Sequence, residues 1–208
     1  MQIIQIPPRG FGANTYVLTE DNENAIVIDP ASPRVESELI RLGLKACYVL
    51  LTHCHFDHTV GVPALQDMGA TVICTSQEKP FVGTPHALSA LFGAPEPEYC
   101  IDQTFEDFEE KELCGLLVKC LLTAGHTKGS CVYLIADPNT GERALFTGDT
   151  LFENSIGRTD FPSGNVGEIL KSLRFLTTLD ESLSVYAGHG EDTTIGNEKR
   201  FNPFLKDL

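Results

Sequence analysis

Four segments of this chain repeat one arrangement: an apolar run predicted as a β-strand, a turn, and then histidine or aspartate. The segments are "YVLLTHCHFDH", "LLTAGHT", "ALFTGDT" and "VYAGHG". They contribute seven side chains of the types that ligate metals: His53, His55, Asp57, His58, His126, Asp149 and His189. A core histidine explains any one of them, but five of the six histidines share this setting. Since sites form where loops gather at strand ends, the repetition predicts one site at the carboxyl ends of these strands.

The hydrophobic pattern predicts strands and helices mixed along the whole chain. The predicted strands are "QIIQI", "NTYVL", "NAIVIDP", "ACYVLLT", "TVICTS", "LLVKCLLT", "CVYLIA", "ALFTGD" and "LSVYAGH". The predicted helices are "PRVESELIRLG", "TVGVPALQDMG", "NVGEILKSLRFLTTL" and residues 196–205. The turn-rich "DPNTGER" predicts a hairpin between two of these strands. This mixture favours an α/β fold in which helices cover the outer faces of sheet.

The chemistry of the four segments favours metal. His53 and His55 are two apart on an extended segment, so both side chains point the same way and can hold one ion. Asp57 and His58 follow where the chain turns into a helix, and they can face a second ion. Imidazole and carboxylate without thiolate suit Zn²⁺ first, with Fe²⁺ and Mn²⁺ as alternatives, and leave positions open for water.

Length and charge narrow the class of protein. A chain of 208 residues can bury a sizeable core, and no Gly/Ser/Pro linker divides it, so we expect a single domain over residues 1–208. The formal charge of −14 and the lack of a basic stripe argue against nucleic-acid binding. The start "MQIIQIPPRGF" does not resemble a signal peptide, and no apolar run reaches the ~20 residues of a membrane span. The acidic run at residues 106–112 is predicted as a solvated loop or short helix.

The cysteines indicate a reducing compartment. There are seven of them, an odd number, without C-x-x-C spacing, which favours free thiols and a cytoplasmic location. Cys54 lies between two of the histidines, but strand alternation points it away from them, so we predict that it is not a ligand. His86 matches no ligand position and is predicted to be an ordinary residue at a helix start.

The motifs "THCHFDH", "GHT", "GDT" and "GHG" resemble, in order and spacing, those of the metallo-β-lactamase-fold hydrolases. The resemblance extends to "NTYVL…IVIDP" and to "TTIGNEKRFNPF". It implies an αβ/βα four-layer sandwich of two mixed sheets flanked by helices, with two metal ions at one edge. It also implies the ligand sets, in which Asp149 bridges two groups of three: His53, His55 and His126 for the first ion, and Asp57, His58 and His189 for the second.

The resemblance further implies an activity. The commonest β-lactamases have cysteine where this chain has Asp149, which argues against antibiotic hydrolysis. An aspartate bridge and "SIGRTDFPSG" resemble the short glyoxalase II-like (hydroxyacylglutathione hydrolase-like) branch, whose small-molecule substrates are acyl thioesters. Two cations would activate a shared water for attack on the thioester carbonyl. Asp57 would orient that water or accept its proton, and Arg158 would bind a substrate carboxylate or, equally, pair with Asp160.

Two features depart from glyoxalase II. That enzyme carries an additional C-terminal helical domain that supplies much of its glutathione recognition, whereas this chain ends at Leu208. The position after the last metal histidine, commonly tyrosine there, is Gly190. Because of these departures, the sequence does not decide whether glutathione is recognised. It does not decide the oligomeric state either. Asp29, at the end of "IVIDP", is predicted either to support a metal ligand or to cap its strand.

Three rival functions remain open from the sequence. A mononuclear iron dioxygenase acting on a persulfide would use His53, His126 and Asp149, the two-histidine, one-carboxylate pattern. "GRTDF" fits this enzyme as well as the hydrolase. An RNA-processing phosphodiesterase shares the HxHxDH signature, but the acidic chain argues against it. A non-catalytic binding module is expected to lose ligands, and all seven are present.

Overall fold

The first sheet contains six strands that lie side by side in sequence order. The computed structural model describes residues 1–8, 10, 12–206 and 208. The strands are β1 (Gln2–Ile6), β2 (Thr15–Thr19), β3 (Asn24–Ile28), β4 (Lys45–Leu50), β5 (Thr71–Thr75) and β6 (Gln103–Phe105). The neighbouring strands β1, β2 and β3 pair antiparallel, and the neighbouring strands from β3 through β6 pair in parallel. The sheet is therefore mixed.

The second sheet is also mixed and has six strands, in the spatial order β14-β13-β10-β9-β8-β7. They are β7 (Glu110–Leu113), β8 (Leu116–Leu122), β9 (Cys131–Ala136), β10 (Arg143–Gly148), β13 (Ser184–Ala187) and β14 (Thr193–Thr194). Only β10 and β13 pair in parallel; the other pairs are antiparallel, including the predicted β9–β10 hairpin. A small separate hairpin joins β11 (Leu151–Phe152) to β12 (Ser155–Ile156).

Within the part of the chain that the structure describes, six α-helices and two 3₁₀ turns connect these strands. The helices are α1 (Val35–Leu42), α2 (Phe56–Thr59), α3 (Val62–Asp67), α4 (Ser89–Phe92), α5 (Val166–Leu176) and α6 (Ile195–Phe201). The 3₁₀ turns are Lys79–Phe81 and Pro85–Ala87. Gly43 ends α1 with a φ of 72°, the left-handed conformation that glycine adopts without steric cost. Asn165 begins α5, where its side chain accepts a hydrogen bond from the Glu168 amide.

Three hydrophobic layers hold the molecule together. Between the two sheets, Tyr16 and Ile28 of the first sheet pack with Tyr133 and Phe146 of the second. On the outer face of the first sheet, residues such as Val27 pack against α1 and α3. On the outer face of the second sheet, the buried side of α5 and part of α6 complete a third layer. Two sheets inside and helices outside confirm the expected αβ/βα four-layer fold.

One local prediction was wrong. The acidic run at residues 106–112 is not a loop or short helix throughout, because Glu110–Leu113 forms the edge strand β7 beside β8. Only Leu113 of this strand is fully buried, and the charged side chains keep an edge strand from pairing with other chains. The charges therefore reflect an edge position rather than the absence of a strand. Within the described residues, no helix is long and apolar enough to cross a membrane.

The topology brings four strand ends to one place. In the second sheet β8 and β10 are both antiparallel to β9, and β13 is parallel to β10, so all three run in one direction. Their carboxyl ends therefore lie at the same edge of that sheet. At this edge the amide of Cys131, which begins β9, donates to the carbonyl of Thr52, just after β4 of the first sheet. Tyr16 adds a second link between sheets, from its hydroxyl to the carbonyl of Ala187 at 2.8 Å.

Candidate metal centre

The segment after β4 provides four of the seven predicted ligands. His53 and His55 lie on the extended chain between β4 and α2, and both are buried. Asp57 and His58 lie in α2, one turn of helix that begins directly after His55. The change from extended chain to helix places all four side chains close together. The rings of His53 and His58, for example, have their centroids 4.1 Å apart.

The other three predicted ligands come from the second sheet. His126 follows β8, Asp149 follows β10, and His189 follows β13. These are the three strands whose carboxyl ends share an edge, so the topology brings the side chains together. His126 is buried, whereas the side chain of His189 remains 36% exposed. The seven-residue cluster is therefore closed on the His126 side and open on the His189 side.

Within this cluster three overlapping groups have ligand atoms within 4.8 Å of one another, a separation that could accommodate a metal ion. The groups are His53, His55 and His126; His53, His58 and Asp149; and Asp57, His58 and His189. The first and third coincide with the two ligand sets that the sequence resemblance implies. That these side chains bind ions remains a prediction.

Asp149 lies between the two outer groups. Its Oδ1 is 3.3 Å from Nε2 of His58, and its Oδ2 is 3.5 Å from Nε2 of His126. The same Oδ2 is 3.8 Å from Nε2 of His189. One carboxylate thus faces members of both groups, which is the position that a bridging ligand requires.

Unpartnered polar atoms show that the cluster fits metal. Among the described residues, buried side-chain atoms without a hydrogen-bond partner include Nε2 of His53, His55 and His58 and Oδ1 of Asp149. Buried polar atoms in proteins are nearly always paired, because leaving one unpaired costs about 1–3 kcal/mol. Four such atoms in one cluster, all of ligating type, match what divalent cations would satisfy.

Asp29 orients two of the histidines. Its Oδ2 accepts a hydrogen bond from Nδ1 of His58 at 2.9 Å and another from the Thr52 hydroxyl at 2.6 Å, while Oδ1 accepts from the Thr52 amide. The oxygen of the Thr52 hydroxyl in turn lies 3.1 Å from Nδ1 of His53 and accepts a hydrogen bond from it. With Nδ1 protonated, the lone pair of each histidine lies on Nε2, the atom that faces the cluster. Of the two alternatives predicted for Asp29, the structure contains the support of the cluster, because its side-chain hydrogen bonds reach Thr52 and His58 rather than the end of its own strand.

His126 is oriented by main chain rather than by carboxylate. Its Nδ1 lies 2.8 Å from the carbonyl oxygen of Arg158, to which it donates, and its Nε2 lies 3.0 Å from Nδ1 of His55. The "SIGRTDFPSG" segment thus contacts the cluster through its backbone. Sequence reasoning considered only the Arg158 side chain and missed this carbonyl.

Glu78 is a second residue that sequence reasoning missed. It is only 1% exposed, and its carboxylate joins the two loops that supply most of the cluster. Oε1 accepts from the Cys54 amide at 3.0 Å; Oε2 accepts from the Thr127 hydroxyl at 2.8 Å and from the Gly129 amide at 3.0 Å. These neighbours lie beside His53, His55 and His126 in sequence. In the sequence Glu78 is one of many acidic residues, and no local pattern marks it as buried.

Gly188 allows the strand ends to approach closely. A Cβ atom there would overlap the Asp149 carboxylate and lie 2.8 Å from Cε1 of His58. Only a residue without a side chain can pass between these two. The first glycine of the "GHG" motif is thus a steric requirement of the cluster.

The electrostatics of the cluster hold His53 and His55 neutral and its carboxylates ionised, which are forms that can ligate, whereas His58 favours the protonated form and would release that proton on binding a metal ion. Burial lowers the pKa of His53 well below its usual range, and burial together with the neighbouring histidines lowers the pKa of His55 to about 3. Burial also opposes charge on His58, but the carboxylates around it, Asp149 first, outweigh this and raise its pKa. For Asp149 and Asp57 burial is outweighed by the charge of His58, so the pKa of each carboxyl is lowered.

A cleft of about 380 Å³ opens over the cluster. Arg158 lies on its rim, where the guanidinium forms two hydrogen bonds of 2.7 Å to Asp160 and stacks 3.8 Å from the centroid of the Phe161 ring. Of the two roles expected for Arg158, the structure contains the ion pair; substrate binding stays a prediction. This pairing lowers the pKa of Asp160 to about 2.

The other two residues considered from the sequence lie outside the cluster. Cys54 is buried near Glu78 and Cys74 and belongs to none of the three ligand groups, and burial raises the pKa of its thiol. His86 lies in the 3₁₀ turn Pro85–Ala87, with its amide hydrogen-bonded to the Thr84 side chain. Its ring packs against Phe81, with the centroids 4.6 Å apart.

Two mixed sheets between helices, with clustered histidines and aspartates at one edge, define the class of αβ/βα metallo-hydrolase folds. The chain belongs to the metallo-beta-lactamase superfamily, whose family model matches residues 8–189. Hydroxyacylglutathione hydrolase GloC of Haemophilus influenzae is 35% identical over 213 residues, covering 99% of this chain and 98% of the relative.

Solved structures give the same assignment. BLEG-1, described as a B3 metallo-beta-lactamase, superposes with a TM-score of 0.88 at 32% identity and covers 98% of this chain and 99% of its own. TTHA1623, solved in a di-iron-bound form, superposes with a TM-score of 0.82 at 28% identity over 99% of this chain and 100% of its own. The fold is thus shared over the full length of proteins of similar size.

Proposed function

We propose that this protein is a binuclear metal-dependent hydrolase of acyl thioesters, of the S-lactoylglutathione type. The observation that carries the proposal is the seven-residue cluster with its four buried, unpartnered ligating atoms. Seven ligand-type side chains exceed what a single ion needs, and they divide into two groups of three with Asp149 between them. The relationship to a hydroxyacylglutathione hydrolase supports the thioester as substrate.

The residues that would hold the ions follow from the two groups. His53, His55 and His126 would hold one, Asp57, His58 and His189 the other, and Asp149 would contact both. Divalent cations at such sites lower the pKa of a bound water and polarise a carbonyl oxygen. Zinc suits the imidazole and carboxylate donors, and iron is the alternative that the di-iron neighbour supports.

The chain's own side chains would then guide the reaction. The water oxygen bonds to the carbonyl carbon, the carbon–sulfur bond breaks, and the products are a carboxylate, a thiol and one proton. Asp57 lines the cleft, and a lowered pKa keeps it ionised, so its carboxylate can accept a proton from the attacking water. Its Oδ2 lies 3.3 Å from Nε2 of His189, on the open side of the cluster.

Arg158 would bind a carboxylate of the substrate at the rim of the cleft. Its guanidinium already holds one carboxylate, that of Asp160, in a two-bond geometry that a substrate anion can reproduce. Arg158→Gln is expected to raise KM for an anionic thioester with little change in kcat. Arg143→Gln is the matched control, since Arg143 forms a similar exposed pair with Asp180 at the far end of β10.

The experiment that tests the proposal begins with metal content. The protein is purified without added metal, analysed for zinc, iron and manganese, and assayed with S-lactoylglutathione. About two ions per chain with thioester turnover supports the proposal. A single iron with oxygen uptake on glutathione persulfide would overturn it in favour of the dioxygenase.

Nitrocefin is a necessary counter-substrate in this assay. Asp149 led us to expect no antibiotic hydrolysis, but a neighbour of nearly equal length is described as a B3 metallo-beta-lactamase. Faster turnover of nitrocefin than of every thioester would overturn the thioesterase assignment in favour of a β-lactamase, while the proposed metal centre would stand.

A further inference from the structure

The cleft over the cluster is walled mainly by apolar side chains. The apolar residues that line it are Phe56, Leu88, Phe92, Phe152, Ile156 and Phe161. The polar lining consists of members of the cluster together with Arg158. A cleft of about 380 Å³ with apolar walls and a few convergent polar groups is typical of small-molecule sites.

The aromatic walls begin at the cluster itself. On one side, the ring centroid of Phe161 lies 5.9 Å from that of His55, and the ring centroid of Phe92 lies 6.0 Å from that of Phe161. Phe56 continues this wall, 5.6 Å from Phe92. On the other side, the ring of Phe152 lies 6.1 Å from that of His189. Apolar surface therefore starts within a few atoms of the place where a bond would be broken.

Phe92 is held at the mouth of the cleft with much of its ring in water. It ends α4 and is 56% exposed, although burial of an aromatic ring is favourable. Leu91, the preceding residue on the same short helix, is 67% exposed and does not line the cleft. An apolar group entering the cleft would cover the Phe92 ring and remove its surface from water.

We propose that, among thioesters of this type, the site prefers an apolar acyl group, aryl or alkyl, over a hydroxyacyl group such as lactoyl. This inference rests on the proposed thioester hydrolysis. The acyl substituent is the part of a thioester that stays apolar for several bonds from the carbonyl. A lactoyl group instead places a hydroxyl on the adjacent carbon, which gains little from phenylalanine walls.

The thiol side of the substrate fits this orientation. A glutathione arm carries amides and carboxylates a few bonds from sulfur, and these need polar partners. Among the described residues lining the cleft, Arg158 is the one permanently charged cation, and it lies at the rim beside exposed Asp160. The polar arm would therefore extend outward past Arg158, while the acyl group packs against the phenylalanine walls, including Phe92 at the mouth of the cleft.

The test compares two thioesters that share one thiol. Metal-loaded protein is assayed with S-phenylacetylglutathione and S-lactoylglutathione, and kcat/KM is expected to be roughly tenfold or more higher for the phenylacetyl compound. Phe92→Ala should remove most of this ratio by lowering kcat/KM more for the phenylacetyl than for the lactoyl compound. Leu91→Ala, the matched control, should keep the wild-type ratio. Metal content and circular dichroism of each variant verify that the centre and fold are intact.

The outcomes separate this inference from the proposed function. Equal kcat/KM for the two thioesters, or equal ratios in Phe92→Ala and Leu91→Ala, would overturn the apolar preference while leaving thioester hydrolysis in place. No turnover of either thioester by protein with two ions bound would overturn the proposed function and this inference with it.

Discussion

His58 donates a hydrogen bond from Nδ1 to the carboxylate of Asp29, at 2.9 Å, between residues 29 positions apart in the chain. Asp29 follows β3 and His58 lies in α2, so the bond ties the end of one central strand to the turn after the next. The same carboxylate holds Thr52, which in turn holds His53. One buried side chain thus sets the ring orientation of a member of each proposed ligand set.

Asp29→Asn should weaken metal binding without removing any proposed ligand. The amide replaces an acceptor oxygen and the charge that favours Nδ1–H on His58, so metal affinity is expected to fall by roughly 10- to 100-fold. Competition with a chromogenic chelator measures this affinity. Asp21→Asn, at the opposite end of β3 and exposed, is the control and should bind metal as the wild type does. Equal affinity in both variants would contradict the role of Asp29.

The sequence was sufficient to predict which ligand-type side chains meet at the strand ends, but not which residues hold them in place. Strand, turn and ligand-type residue occur together in four places, and that local pattern predicted which side chains meet. Glu78 carries no such signal, because its importance arises from burial between two loops that are distant in sequence. The contact of His126 with the backbone carbonyl of Arg158 likewise could not be predicted, because every residue carries a carbonyl and side-chain patterns do not mark this one.

The acidic run shows the other limit of local reasoning. Glu110 and Glu112 read as solvated, and they are, yet the backbone between them pairs with β8. Side-chain polarity reports exposure, and an edge strand of a sheet can be exposed on most sides. Only the position of a neighbour, here Leu116–Leu122, decides between loop and strand.

Glu78→Gln should destabilise the protein and loosen both loops of the cluster. The substitution removes the charge that strengthens three buried hydrogen bonds, at a cost of about 1–3 kcal/mol in the free energy of unfolding. Urea unfolding measures this cost, and chelator competition should detect weaker metal binding in parallel. Glu106→Gln provides the comparison, since Glu106 is exposed and accepts from Ser76 near Glu78. Indistinguishable urea midpoints for the two variants would refute the bridging role.

Gly188→Ala should disrupt the cluster through sterics alone. The added methyl group would overlap Asp149 and press on His58, so that the two proposed ligand sets are forced apart. We expect loss of at least one ion per chain and overpacking that costs about 1–3 kcal/mol in stability. Gly167→Ala is the control: in α5 a Cβ meets only the Asn165 side chain at 3.3 Å, and alanine favours helix. Full metal content in Gly188→Ala would contradict the steric requirement, because it would show that a Cβ atom fits between Asp149 and His58.

Asp21 supplies a pH-dependent contribution to stability that is independent of metal. Its carboxylate accepts hydrogen bonds from the Asn24 side chain and from the amides of Asn24 and Glu23, which lower its pKa from 3.8 to about 2. A depressed carboxyl pKa stabilises the folded state above the unfolded value near 3.8 and loses that effect as the pH falls toward 2. Asp21→Asn cannot titrate, so the Tm of the wild type should exceed that of the variant at pH 7. This difference should stay constant down to about pH 5 and shrink below pH 4 in thermal melts of metal-free protein. A difference that grows on acidification would show that the turn does not prefer the ionised carboxylate.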